Sequence, residues 1–189
     1  DIPFIRTEWI YLASLLNVSF NTTKELIKRK SAKVAFNPSL YLAKKGKTYL
    51  QPILNKTEIL ILNLEEAKAL LNTDGKPEFL LKKLQKLGPP TVIITNGSKP
   101  FQALQHNSIY KITPPKVKKV DTTGAGDCFA ASFLAAQIKG YDMEKSLRLA
   151  QTNASSLIQE VGTKHGLLTE KQIDSKRYKI PISKKTFQS

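Results

Sequence analysis

The sequence predicts an α/β fold in which helices cover a mostly parallel sheet, and three observations carry that prediction. Four short apolar runs, each bounded by polar or turn residues, recur along the first half of the chain. Stretches with apolar residues at helical spacing lie between them, and this alternation of strand and helix is the rhythm that builds parallel sheets. The 189 residues, 41% of them hydrophobic, are enough for one full-sized core and argue against disorder.

In chain order the strand-like runs are EWIYLAS (8 to 14), KVAFN (33 to 37), EILILN (58 to 63) and TVIIT (91 to 95). Among the helical stretches, Thr22 and Glu25 form a capping-box pattern ahead of LIKRK, and LEEAKALL (64 to 71) and PEFLLKKLQKL (77 to 87) have helical periodicity. After Thr95 the rhythm changes. FQALQH and SIYKIT flank a break at His106 and Asn107, a hairpin pattern, and PPKVKKV leads on to residue 121. Two helices follow. One runs from about Gly124 to Lys139 and stops at Gly140; the other starts after Asp142 as N-cap, with Leu147, Leu149, Ala150, Ala154, Leu157 and Ile158 as its apolar positions. The expected organisation is one domain over residues 1–175 and a basic tail over 176–189 without strong periodicity.

The net charge of +15 comes mostly from lysine, since only Arg6, Arg29, Arg148 and Arg177 are arginines. Lysines spread along the whole chain read as a solvated surface that draws in anionic ligands such as nucleotides. No RNA-binding signature, zinc finger or basic heptad is present, so specific nucleic-acid recognition is not expected. No run approaches the roughly 18 apolar residues of a membrane-spanning helix, and the start lacks a secretory pattern. Cys128 is the single cysteine, which excludes an intrachain disulfide or a cysteine-based zinc site and fits a reducing cytoplasm. The first residue, Asp1, is not a methionine, so the expectation is a chain that has lost its beginning.

The richest segment is DTTGAGD, residues 121 to 127, placed directly before the apolar run CFAASFLAAQI. A helix opening leaves backbone N–H groups without intrahelical partners and carries partial positive charge, which makes it a ready anion site. Gly124 and Gly126 have no Cβ, so a phosphate can come close to the backbone there. Asp127 falls in the first helical turn, and a weak carboxylate base suffices for phosphoryl transfer to an alcohol, because the hydroxyl proton leaves late in a loose transition state. Asp121, three residues before Gly124, either caps the turn or binds a cation with nearby carbonyls. The same letters also fit a plain capped helix start with Asp121 as N-cap. They match neither the P-loop nor the dinucleotide fingerprint.

DTTGAGDCFAASFLA resembles the C-terminal signature of the ribokinase-like carbohydrate kinases, the phosphofructokinase-B family. The resemblance implies a three-layer α/β/α fold, ATP-dependent phosphorylation of a sugar or nucleoside hydroxyl, and a Mg2+ requirement. It makes Asp127 the base and the amides of Gly124, Ala125 and Gly126 the anion hole. It matches Asp121 and the carbonyl of Thr123 to the region that holds a monovalent cation, K+, in some members. ILNLEEA is similar to the family's Asn-x-x-Glu element and implies a role for Asn63 and Glu66 in organising Mg2+ and phosphate; as bare letters they form a capping box. VIITNGSKP resembles the family's Thr-x-Gly-x-x-Gly segment, with Thr95 and Gly97 approaching the nucleotide phosphates and Pro100 in place of the second glycine. AFNPS implies that Asn37 lies near the transfer site, although an Asn-Pro turn explains it equally.

LAQTNASSLIQEVGTKHGLLT is similar to the last nucleotide-side helix and its loop, which implies Asn153 beside the adenine and Val161, Gly162 and the residues to Gly166 in the neighbouring loop. His106 and His165 receive no role and read as surface or loop residues. The resemblance runs from Trp9 to about Thr169. Family members have a further N-terminal segment that supplies strands, a lid and most sugar contacts, so the expectation is a chain whose acceptor-choosing part is supplied by a missing segment or a partner chain, with a homodimer as one arrangement. A sugar kinase is the leading reading. A nucleoside kinase of the same family and a non-catalytic nucleotide-binding fragment are the alternatives.

Overall fold

Seven strands form one sheet in the order β1-β2-β3-β4-β5-β6-β7: Trp9–Leu12, Lys33–Phe36, Thr57–Asn63, Thr91–Thr95, Phe101–Gln105, Ser108–Ile112 and Ile182–Thr186. Strands β1 to β4 run parallel, and β5 returns antiparallel to β4 with Thr91 opposite Gln105. The computed structural model describes residues 7–15, 18–28, 32–176 and 178–187. By internal contacts the chain divides into two units, one of residues Asp1–Asn96, Gln102–Ile109 and Thr186–Ser189, the other of Gly97–Phe101 and Tyr110–Lys185.

In the first unit the sheet is covered by α1 (Val18–Lys28), α2 (Leu40–Ala43), α3 (Gly46–Leu54), α4 (Leu64–Leu71) and α5 (Pro77–Gln85). Leu60, Leu62, Val92 and Ile94 of the sheet cluster with Leu50, Leu54, Leu70, Leu80 and Leu84 of the helices, all almost fully buried. Each such side chain contributes about 1.5 to 3 kcal/mol of hydrophobic stabilisation. Val92, Ile93 and Ile94 are buried in succession, which is why TVIIT is a continuous apolar run rather than an alternating one.

Helices α1, α2 and α3 depart from the sequence reading, and β7 adds to it. Helix α1 begins at Val18, so Thr22 lies inside it and not at its cap; burial of Phe20, Thr23 and Ile27 at helical spacing sets the helix, and the capping letters are local coincidence. Helices α2 and α3 stand where no element was read, because Gly46, at φ +80°, and Pro52, inside α3, interrupt the pattern on which a helix is recognised. Within the basic tail, which has no strong periodicity, Ile182–Thr186 form β7. Phe187 N–H donates to the Asn107 carbonyl at 2.8 Å, and the Ser108 and Thr186 hydroxyls lie 3.0 Å apart. A strand reading ISKKT has one apolar residue, so its pairing and not its composition makes it a strand.

The second unit is built on α6 (Ala125–Ile138) and α7 (Met143–Leu157), with α8 (Glu170–Ser175) beside them. Helix α6 buries Cys128, Phe129, Phe133 and Leu134, with the Phe129 ring edge-on to Phe101 at 5.4 Å. Gly140, at φ +75°, turns the chain, and Asp142 caps α7 by accepting the Lys145 N–H at 2.7 Å. Small residues such as Ala130, Ala150 and Ala154 let the two helices approach, and polar ties cross between them: Gln137 Nε2 donates to Ser146 Oγ at 2.7 Å and Asn153 Nδ2 to Ser132 Oγ at 2.8 Å. Among the described residues no helix is long and apolar enough to cross a membrane.

Candidate active site

The candidate residues fall into one group in each unit. In the first unit, Asn37, Asn63 and Thr95 stand at the carboxyl ends of the parallel strands β2, β3 and β4, with Asn63 and Thr95 directly opposite in register. Open parallel sheets bind ligands at this edge. Asn63 is also the N-cap of α4: its Oδ1 accepts the Glu66 N–H at 2.9 Å, while its own N–H donates to Glu66 Oε2 at 2.8 Å. The capping box is therefore real, and it fixes the direction of both side chains. Thr95 Oγ1 donates to the Leu62 carbonyl at 3.3 Å, and Asn37 Nδ2 to the Tyr11 hydroxyl at 3.2 Å.

In the second unit, Gly97 takes φ +57° with open space around the position of a Cβ. The DTTGAGD segment makes a tight loop into α6 whose N-cap is Gly124, at φ +77°, and not Asp121. A Cβ on Gly124 would stand 3.1 Å from Thr163 Cγ2, so conformation and packing both require glycine there. The helix opening has no side-chain cap, and the first intrahelical bond is Cys128 N–H to the Gly124 carbonyl at 2.8 Å. Among the described residues the N–H groups of Gly126 and Asp127 have no partner, whereas the Ala125 N–H, expected in the anion hole, donates to the Thr122 carbonyl at 3.3 Å. Gly126 is in ordinary helical conformation, exposed, with nothing within 4 Å of where a Cβ would be, and the Asp127 carboxylate is exposed beside it.

Asp121 organises the turn. Its Oδ1 accepts the Thr123 N–H at 2.9 Å and its Oδ2 the Gly162 N–H at 3.0 Å, while the Ile158 carbonyl accepts the Val120 N–H at 2.8 Å. The loop before α6 is thus tied to the loop after α7. The Thr123 backbone N–H and hydroxyl, and then the Gly162 N–H, hold the Asp121 carboxyl below its ordinary value of 3.8. A depressed carboxyl stabilises the fold above its unfolded value and loses that contribution as pH falls through the lower, folded one. Asp121→Asn is expected to lower the melting temperature at pH 7 and to lose less than the parent on acidification below about pH 3.8, a comparison that thermal melts across pH provide.

Asn153 is buried in α7, and both ends of its amide are used inside the protein: Nδ2 on Ser132, Oδ1 accepting the Leu168 N–H at 2.9 Å. It clamps the 161–168 loop to the helix pair, a tie that has no signature in sequence because Ser132 and Leu168 are unremarkable letters. Asn153→Ala leaves both partners unmatched and is expected to cost about 2 to 4 kcal/mol, read from denaturant unfolding. Gly162 takes φ +86° in the same loop, and Gly166 packs so that a Cβ would meet the Leu157 backbone at 2.6 Å. His106 and His165 are exposed loop residues. Burial pushes the Cys128 thiol up to about 11, which makes it an inert core residue. Among the described residues no cluster of three His, Cys, Asp or Glu side chains is placed to hold a metal ion.

Comparison with known proteins agrees with this architecture. The sequence profile of the pfkB family carbohydrate kinases matches residues 7–170. An uncharacterised sugar kinase of Archaeoglobus fulgidus is 30% identical over 149 residues, covering 79% of this chain and 58% of that protein. The crystal structure of a nucleoside kinase of Methanocaldococcus jannaschii, described as an archaeal member of the ribokinase family, superposes with a TM-score of 0.75 at 29% identity, over 92% of this chain and 57% of its own. A candidate ribokinase II of E. coli, solved with ATP and Mg2+, shares the fold at a TM-score of 0.77 and 20% identity, over 89% of this chain and 57% of its own. The chain thus spans between half and two thirds of the length of these relatives. It belongs to the pfkB family of carbohydrate kinases.

Proposed function

We propose that this chain is the nucleotide-binding and proton-accepting part of an ATP-dependent kinase that phosphorylates a hydroxyl group of a small sugar. The observation that carries the reading is the opening of α6: two N–H groups without a partner among the described residues, open space over Gly126, and an exposed carboxylate at Asp127. A helical glycine with nothing above it has no packing purpose, and a group of phosphate size fits against it. In this reading the γ-phosphoryl oxygens rest on the N–H groups of Gly126 and Asp127. Asp127 takes the acceptor hydroxyl's proton, the hydroxyl oxygen bonds to the γ-phosphorus as the β–γ bridge breaks, and ADP leaves. Positioning and charge stabilisation supply most of the rate.

Mg2+ bound with the nucleotide supplies neutralisation of the phosphate charge. Such an ion keeps several waters and needs only one or two carboxylates, a donor set that Asn63 and Glu66 fit through water while their capping box holds them in place. Thr95 and Gly97 are assigned to the nucleotide phosphates, and Asn153 to shaping the loop of Gly162 rather than to touching the base. K+ at Asp121 and the Thr123 carbonyl would add to a turn that already stands on two N–H bonds. The lone, buried cysteine supports a cytoplasmic setting.

A sugar is the first choice of acceptor, from the family and the sugar kinase relative; a nucleoside follows from the nucleoside kinase relative. The test incubates the active protein with Mg-ATP and a panel of sugars and nucleosides and follows phosphorylated product by mass spectrometry. Product from a sugar supports the reading, product from nucleosides alone transfers it to the nucleoside branch, and ATP binding without any product leaves only a non-catalytic nucleotide binder.

A further inference from the structure

The second unit has a cleft that the proposed reaction does not use. Its volume is about 210 Å³, and its walls include Lys145, Arg148, Thr152, Asp174, Lys176 and Tyr178. Three cations against one carboxylate make it electropositive. Among the described residues none of the three forms an ion pair: Lys145 Nζ lies over the Tyr141 ring at 3.6 Å, Lys176 Nζ over the Tyr178 ring at 5.7 Å, and the Arg148 guanidinium donates to the Ile180 carbonyl. Thr152 is 4% exposed, and its hydroxyl has no hydrogen-bond partner among the described residues. Three basic side chains thus converge on a concavity with an uncommitted hydroxyl.

The other walls define what accompanies the anion. Leu149 and Ile173 give the cleft an apolar side. Tyr178 lines the same cleft, and its hydroxyl accepts from Gln159 Nε2 at 2.6 Å. The space accommodates a phosphate and a sugar-sized body, and an aromatic face beside cations suits a ring that carries the anion. The cleft is separate from the opening of α6. Lys145 and Arg148 lie about 14 to 18 Å along α7 from Leu157, at the rise of an α-helix, and it is the far end of α7, at Ile158, that ties to the loop before Gly124.

We propose that this cleft is a second anion site, which takes the phosphate of a small phosphorylated metabolite on Lys145, Arg148 and Lys176 and its ring against Tyr178. The experiment is an amide-resolved NMR titration of the protein with inorganic phosphate and, separately, with a hexose phosphate. Two sets of amides are expected to respond with different affinities: 124–127, and 145–152 with 173–178. The second set should saturate at lower hexose phosphate than inorganic phosphate concentration, and its affinity should fall as salt rises. Lys145→Gln and Lys176→Gln, both at exposed positions and so expected to leave the melting temperature unchanged, should each weaken the second set by about fivefold and leave the 124–127 response as it was. Response confined to 124–127, equal affinity for the two ligands, or variants that bind like the parent would each overturn the proposal.

Discussion

Asp127→Asn is expected to lower turnover by about 10³-fold or more while Mg-ATP binding and the melting temperature stay near those of the parent. The side chain is exposed at the first turn of α6 and makes no hydrogen bond or ion pair among the described residues, so its charge supports the fold only weakly, through the helix dipole. The amide is isosteric, preserves the helix start and removes only the capacity to accept a proton. General bases contribute typically 10² to 10⁴-fold, which sets the scale. Single-turnover measurement separates the two quantities. If kcat is retained, Asp127 is not the base; if binding and melting fall with it, the residue is structural.

Gly126→Ala is expected to dissociate stability from nucleotide binding. With ordinary helical backbone and nothing within 4 Å of the new methyl, the protein accepts alanine and gains up to about 0.5 to 1 kcal/mol of helix propensity. The same methyl occupies the space assigned to the phosphate, so Mg-ATP affinity should drop about tenfold or more, of the order of one lost anion-hole contact. Gly124→Ala is the control. Its backbone at φ +77° and the 3.1 Å approach of Thr163 Cγ2 predict a loss of about 1 to 2 kcal/mol of stability, whatever happens to the ligand. A melting temperature that falls equally in both variants would mean that Gly126 serves packing, against the space seen above it.

The contrast between these glycines shows what was legible in the sequence. Both could be read as backbone clearance from DTTGAGD; only the structure shows that Gly124 is demanded by Thr163 and by its own φ, while Gly126 is demanded by neither. Elements whose signal is local were readable. TVIIT and LEEAKALL fall within the bounds the sequence suggests, because a buried run and a capped amphipathic helix write themselves into consecutive residues. Elements defined by distant partners were not. Strand β7 exists through Asn107 and Ser108, α1 is set by the burial of Phe20, Thr23 and Ile27, and the Asn153 clamp joins residues 15 and 21 positions away. The role of Asp121 lies between: its letter suggested a cap or a cation ligand, and its bond to the Gly162 N–H, 41 residues on, makes it the tie between two loops.

The central claim is that the opening of α6 holds the phosphate that is transferred. A titration of the protein with Mg-ATP, followed at the backbone amides of Gly124, Ala125, Gly126 and Asp127, tests it most directly. Large downfield shifts are expected at Gly126 and Asp127, the two N–H groups without partners among the described residues, saturating with the binding isotherm, and in Gly126→Ala the Asp127 shift should need about tenfold or more Mg-ATP. Saturable ATP binding that leaves those two amides unmoved would contradict it.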